Sequence, residues 1–167
     1  MEHRREIAER FQPIRQAGVA SALAFQGIGA GWETAIGVLL RLQRASGVHL
    51  HILHTQTAGS VDLIRNGQKK GIRVTGEACP HHLTLTDESL RTFDTNYKMA
   101  PPLRTQADIE ALIDGLKDGT LSVLATDHAP HSAASKDATW QDAPFGMVGL
   151  ESALSVVQAT LVDTGAI

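Results

Sequence analysis

Three strand-like runs, kept apart by segments of helical period, are the feature that most constrains this chain. "VHLHILH" (Val48–His54), "IRVTGEA" (Ile72–Ala78) and "TLSVLAT" (Thr120–Thr126) are rich in β-branched and apolar residues. "ETAIGVLLRLQRA" (Glu33–Ala45), "SVDLIRNGQKKG" (Ser60–Gly71) and "TQADIEALIDGLKDG" (Thr105–Gly119) carry apolar residues at helical spacing. Thr105 is placed to cap one helix, and Gly47, Gly71 and Gly119 stand where helices should stop. A short helix is expected near Asp87–Arg91, and a last one over Gly149–Gly165. Strands that alternate with helices predict an α/β fold, with a parallel sheet built from right-handed β-α-β units.

That arrangement gives the polar residues a place. His54 closes the first run, Glu77 lies near the end of the second, and Asp127 follows the third. In a parallel β/α architecture all strand C-termini share one face, where catalytic groups collect. Three potential metal ligands from three strands therefore converge on one rim. Period-two alternation sets His49, His51 and Leu53 on one face of the first strand and Val48, Leu50, Ile52 and His54 on the other, and His49 and His51 read as structural. Glu77 could cap a turn, Asp127 could form an Asx turn before Pro130, and His81 and His82 could bond a loop. With Cys79 the single cysteine and no CxxC pair, a structural cysteine–zinc site is not expected.

Composition bounds the function. A net charge of −3 gives no reason to expect nucleic acid or an anionic membrane as partner. No apolar run approaches the roughly 20 residues that span a bilayer. "MEHRREIAERF" lacks the apolar core of a signal peptide, and one cysteine excludes an internal disulfide, so a cytoplasmic setting is expected. Neither a Gly-rich phosphate loop nor a GxSxG elbow occurs.

"GEACPHHLTLTDESLRTFDTNYKMAPPLR", then "LATDHAPH", Lys136 and "APFGMVGLE", resembles the dihydroorotase family of the amidohydrolase superfamily. A weaker similarity joins "MEH" and "GVASALAFQGIGAGWE" to the family's segment in which a histidine ligand precedes a loop ending at Trp32-Glu33. The resemblance implies a metal-dependent (β/α)8 TIM barrel that interconverts dihydroorotate and N-carbamoyl-L-aspartate in pyrimidine biosynthesis. It implies two zinc ions at the C-terminal face, bridged by a hydroxide and by a carboxylate or carboxylated lysine. Carried over by position, His54 is the ligand after the sixth strand and His3 the counterpart of that after the fifth. Asp127 is the metal-touching proton shuttle after the eighth, His131 a substrate-binding residue, and Glu77 a further metal contact in some relatives. Zinc lowers the pKa of bound water to about 7, which suits attack on a cyclic amide.

Two departures shape the expectation. A complete barrel of this kind takes around 250 residues, so residues 1–167 are expected to form its C-terminal part, from about the end of strand 5 through the helix after strand 8. The family's HxH pair after the first strand and its bridging residue are absent, so the isolated chain is expected to lack part of the metal site, and its open sheet edges to favour self-association into a homo-oligomer. Ala100 in "KMAPPLR" stands where many members have a substrate-contacting asparagine, which leaves an allantoinase- or hydantoinase-like cyclic amidase as the alternative. A non-catalytic scaffold for aspartate transcarbamoylase is a third reading, and retention of His54, Asp127 and His131 weighs against it.

Overall fold

The computed structural model of the chain describes residues 29–167. The first helix, α1, spans Gly29–Ser46, so it begins four residues before the predicted Glu33 and takes in Trp32. Ile36, Leu40 and Gln43 form its buried stripe, and Gln43 Nε2 donates to Val48 O at 2.7 Å to fix the exit. Gly47, at φ 70°, then turns the chain into strand β1, Leu50–Ile52.

Helix α2, Ala58–Lys69, starts at Thr57, whose hydroxyl accepts the Ser60 amide, and buries Ser60, Val61, Ile64 and Gly67 along one face. Strand β2 is Val74–Ala78. A long connection follows, with 3-10 turns at Pro80–Leu83, Asp87–Thr92 and Thr95–Tyr97. Helix α3, Gln106–Lys117, opens on a full capping box between Thr105 and Asp108 and buries Ile109, Leu112 and Gly115. Strand β3 is Val123–Leu124, α4 is Ala133–Lys136, and α5, Ala153–Val157, runs on as a π-helical turn over Gln158–Val162. The single helix expected over Gly149–Gly165 is thus shorter and wound in two ways.

The sheet is parallel with order β1-β2-β3, as the alternating pattern predicts. Leu50 pairs with Val74, Ile52 with Gly76, and Glu77 with Val123. One face packs under the helices, where Ile52, Val74 and Ala78 meet Ile36, Leu40, Val61, Ile64, Leu112 and Leu121. A Cβ at Gly76 would come within 2.9 Å of both Ile64 Cδ1 and Leu121 Cδ2, so a side chain there would force these two buried side chains to shift.

Each strand is shorter than its sequence run. The first stops at Ile52, shortly before His54 at φ 50°, and the third at Leu124, shortly before Asp127 at φ 47°. A left-handed backbone is incompatible with an extended strand and uncommon outside glycine. Both residues so placed are among those singled out on the rim. No helix among the described residues is long and apolar enough to cross a membrane.

Candidate active site

The C-terminal ends of the strands bring His54, Glu77 and Asp127 together. Glu77 is 5% exposed, and both its oxygens are engaged. Its Oε1 lies 3.1 Å from His54 Nδ1 and accepts the His54 amide at 3.3 Å, while Oε2 lies 2.9 Å from His51 Nε2. His54 Nδ1 is thus within reach of both this carboxylate and the Cys79 sulfur. The Nε2 of His54 faces Asp127 Oδ1 at 3.5 Å. At this distance the two atoms are not tightly hydrogen-bonded, and an imidazole nitrogen and a carboxylate oxygen so placed can both ligate a cation.

Cys79, fully buried just past β2, sets its sulfur 3.2 Å from His54 Nδ1. His54, Cys79 and Asp127 each place a donor atom within 4.8 Å of the others, a nitrogen, sulfur and oxygen set of the kind zinc accepts. Burial raises the Asp127 carboxyl above its usual range and the Glu77 charge adds to this, while His54 opposes it. Burial, reinforced by Asp127 and Glu77, also pushes the Cys79 thiol far up.

His51 joins this cluster although its position in the strand alone marks it as structural. Its Nδ1 lies 2.7 Å from Thr75 Oγ1, so one imidazole ties Thr75 to Glu77 across the β1–β2 pair. The signal was available in principle, since His51 and Thr75 are register partners and Glu77 is two residues on, on the same face. Among the described residues His49 bonds Thr75 alone, at 3.0 Å, and keeps its structural reading.

The loop after β3 is held differently. His128 Nδ1 accepts the amides of Gly149 and Leu150 at 3.1 and 3.0 Å, and Ala129 N donates to Met147 O. His131 is exposed and donates Nε2–H to Phe145 O at 2.9 Å. No hydrogen bond among the described residues links it to Asp127. Gly146, at φ 129°, has no room for a side chain, because a Cβ there would lie 2.6 Å from that of Ala129 and 3.1 Å from His131 Nε2. His3 lies outside the described residues.

Behind the rim, His81 and His82 are 6% and 3% exposed. His82 Nε2 donates to Pro101 O at 3.1 Å, and among the described residues neither its Nδ1 nor His81 Nε2 has a partner. An unpaired buried polar atom costs about 1–3 kcal/mol. Burial, with the nearby imidazoles behind it, lowers His81 from 6.5 to about 3. Burial lowers His82 to about 4, against a partial upward pull from the Pro101 carbonyl. Between about pH 4 and 6.5 the unfolded chain therefore binds more protons than the folded one. Stability is complete above that window and falls as pH drops through it. We expect the unfolding free energy of the metal-free chain, from urea titration, to fall by on the order of 3 kcal/mol between pH 7 and 4.5. A His82→Gln variant, which can still donate to Pro101, should flatten that slope; an unchanged slope would show that the buried imidazole is not its source.

No family model matches the chain. A dihydroorotase from Leifsonia xyli subsp. xyli is 53% identical over 141 residues, which are 81% of this chain and 32% of that protein. A dihydroorotase from Caldanaerobacter subterraneus subsp. tengcongensis is 48% identical over 150 residues, 89% of this chain and 35% of that protein. Among solved structures, the L-hydantoinase (dihydropyrimidinase) from Arthrobacter aurescens matches with a TM-score of 0.78 at 28% identity, over 96% of this chain and 37% of that one. The chain spans about a third of the length of the relatives it matches. Over that third, on sequence identity near 50%, the chain belongs to the dihydroorotase family of amidohydrolase barrels.

Proposed function

We propose that this chain supplies strands six to eight of a dihydroorotase barrel, with β1, β2 and β3 in those places, and that it opens dihydroorotate to N-carbamoyl-L-aspartate in pyrimidine biosynthesis. One observation carries the reading. His54 Nε2 and Asp127 Oδ1, from past the ends of β1 and β3, face each other across 3.5 Å, with a Glu77 oxygen 3.1 Å from the far nitrogen of the imidazole. That is the arrangement of a metal-ligating histidine oriented by a carboxylate. His54 and Asp127 would hold the metal, His3 would add a ligand, and Glu77, with both oxygens occupied by histidines, orients rather than ligates. When bound, zinc, two ions in a complete site, supplies an activated water and polarises the amide carbonyl.

The chain's own residues carry the proton. Asp127 takes it from the attacking water and delivers it to the ring nitrogen as the C–N bond breaks. His131 meets the substrate carboxylate, which would draw the Nε2–H now given to Phe145 O or pair with the imidazolium.

Ala100 and the likeness to an L-hydantoinase favour a second reading, a hydantoinase-like amidase. Identity near 50% to dihydroorotases outweighs it. A chimera in which this chain replaces the matching third of the Caldanaerobacter protein would decide. Faster turnover of dihydroorotate than of hydantoin or allantoin is expected. Preference for either other ring, or a folded chimera inert on all three, would overturn the assignment.

A further inference from the structure

The donor atoms of Cys79, His81 and His82 also lie within 4.8 Å of one another, and all three residues are buried. The two rings meet edge to face, with centroids 4.3 Å apart at 64°. We propose that these three residues form a second metal site, for a thiophilic divalent ion such as zinc, which takes no ligand from His54 or Asp127.

Two features beyond the gathering of donors point to a bound ion. His82 gives its Nε2–H to the Pro101 carbonyl, and this fixes the tautomer with a free lone pair on Nδ1. Metal-binding histidines are oriented in the same way, by a backbone carbonyl on the far nitrogen. His82 Nδ1 and His81 Nε2 are both buried with no partner among the described residues, and each sits on a ring more than nine-tenths enclosed. The Pro80–Leu83 turn places Cys79, His81 and His82 on one short bend, so no rearrangement of distant elements is needed to bring them together. On binding, the Cys79 S–H is exchanged for a sulfur–metal bond and its proton goes to solvent. A thiolate with two imidazoles selects zinc, or cobalt in its place, over magnesium or calcium.

Cys79 also touches His54, so the decisive question is which histidines share its sulfur. Cobalt(II) chloride titrated into the 167-residue chain, read by the thiolate-to-cobalt charge-transfer band, answers it. The band should appear in the parent and in Asp127→Asn and His54→Asn. It should be lost in Cys79→Ser and in His82→Gln, the glutamine keeping the bond to Pro101 while removing the ligand. His81→Gln should lose it too, and serves if His82→Gln fails to fold by circular dichroism. No band in the parent, a band surviving in the His81 or His82 variant, or its loss in His54→Asn would overturn the proposal. Because the readout is absorption by the chain itself, its failure leaves the ring-opening assignment standing, and the reverse also holds.

Discussion

Asp127→Asn in the chimeric enzyme should lower kcat for dihydroorotate by about 10²–10⁴-fold, the range general acid–base catalysis supplies, with little change in KM. Asparagine has nearly the shape of aspartate and can keep the strained backbone at φ 47°, a conformation it tolerates better than most residues. What it lacks is a site for the proton. The variant also removes an anionic oxygen from the 3.5 Å gap facing His54, so metal content must be measured beside the rate. A fall in kcat with zinc still bound locates the defect in proton transfer. The limb of the pH–rate profile that reports the Asp127 carboxyl should disappear with it. Turnover within tenfold of the parent would end the role given to Asp127.

Lys98→Met should destabilise the folded chain by about 3 kcal/mol or more, since a charged donor is lost and several buried acceptors are stranded together. Lys98 is 5% exposed, and its Nζ donates to the carbonyls of Trp140, Gln141 and Ala143 at 2.6, 3.1 and 2.6 Å. The ammonium also lies 4.5 Å from the centre of the Phe145 ring. Lys136 repeats the device in the other direction, reaching the carbonyls of Thr95 and Pro144 at 3.0 Å each, while its own carbonyl accepts the Thr95 hydroxyl. Burial, with Lys98 nearby, lowers the Lys136 pKa. Between them the two lysines clamp residues 139–146 to the 95–98 turn. Gly146 N completes the clamp by donating to Lys98 O at 3.0 Å.

The consequence reaches function, because that clamped segment presents Phe145 O to His131. In the chimera, Lys98→Met should therefore raise KM for dihydroorotate more than it lowers kcat. Urea denaturation gives the first effect and steady-state kinetics the second. A midpoint unchanged from the parent would mean the carbonyls find other donors and the clamp is dispensable.

Much of this was legible in the sequence. The apolar spacing of Val61, Ile64 and Gly67, and of Ile109, Leu112 and Gly115, set two helices and their buried faces, and Thr105 with Asp108 marked where one begins. Three strand runs ending near His54, Glu77 and Asp127 put those side chains on one rim, because parallel strands share a C-terminal face. Periodicity is a property of a single element, and it encodes which face is buried. It does not encode which atoms meet across elements. That His51 and His54 take one oxygen each of Glu77, that Cys79 lies against His54, and that two lysines find carbonyls some forty residues away in sequence depend on register and on loop paths. The left-handed backbone at His54 and Asp127 belongs there too. Neither residue type demands it, and only the packed sheet edge compensates a conformation that an isolated strand would avoid.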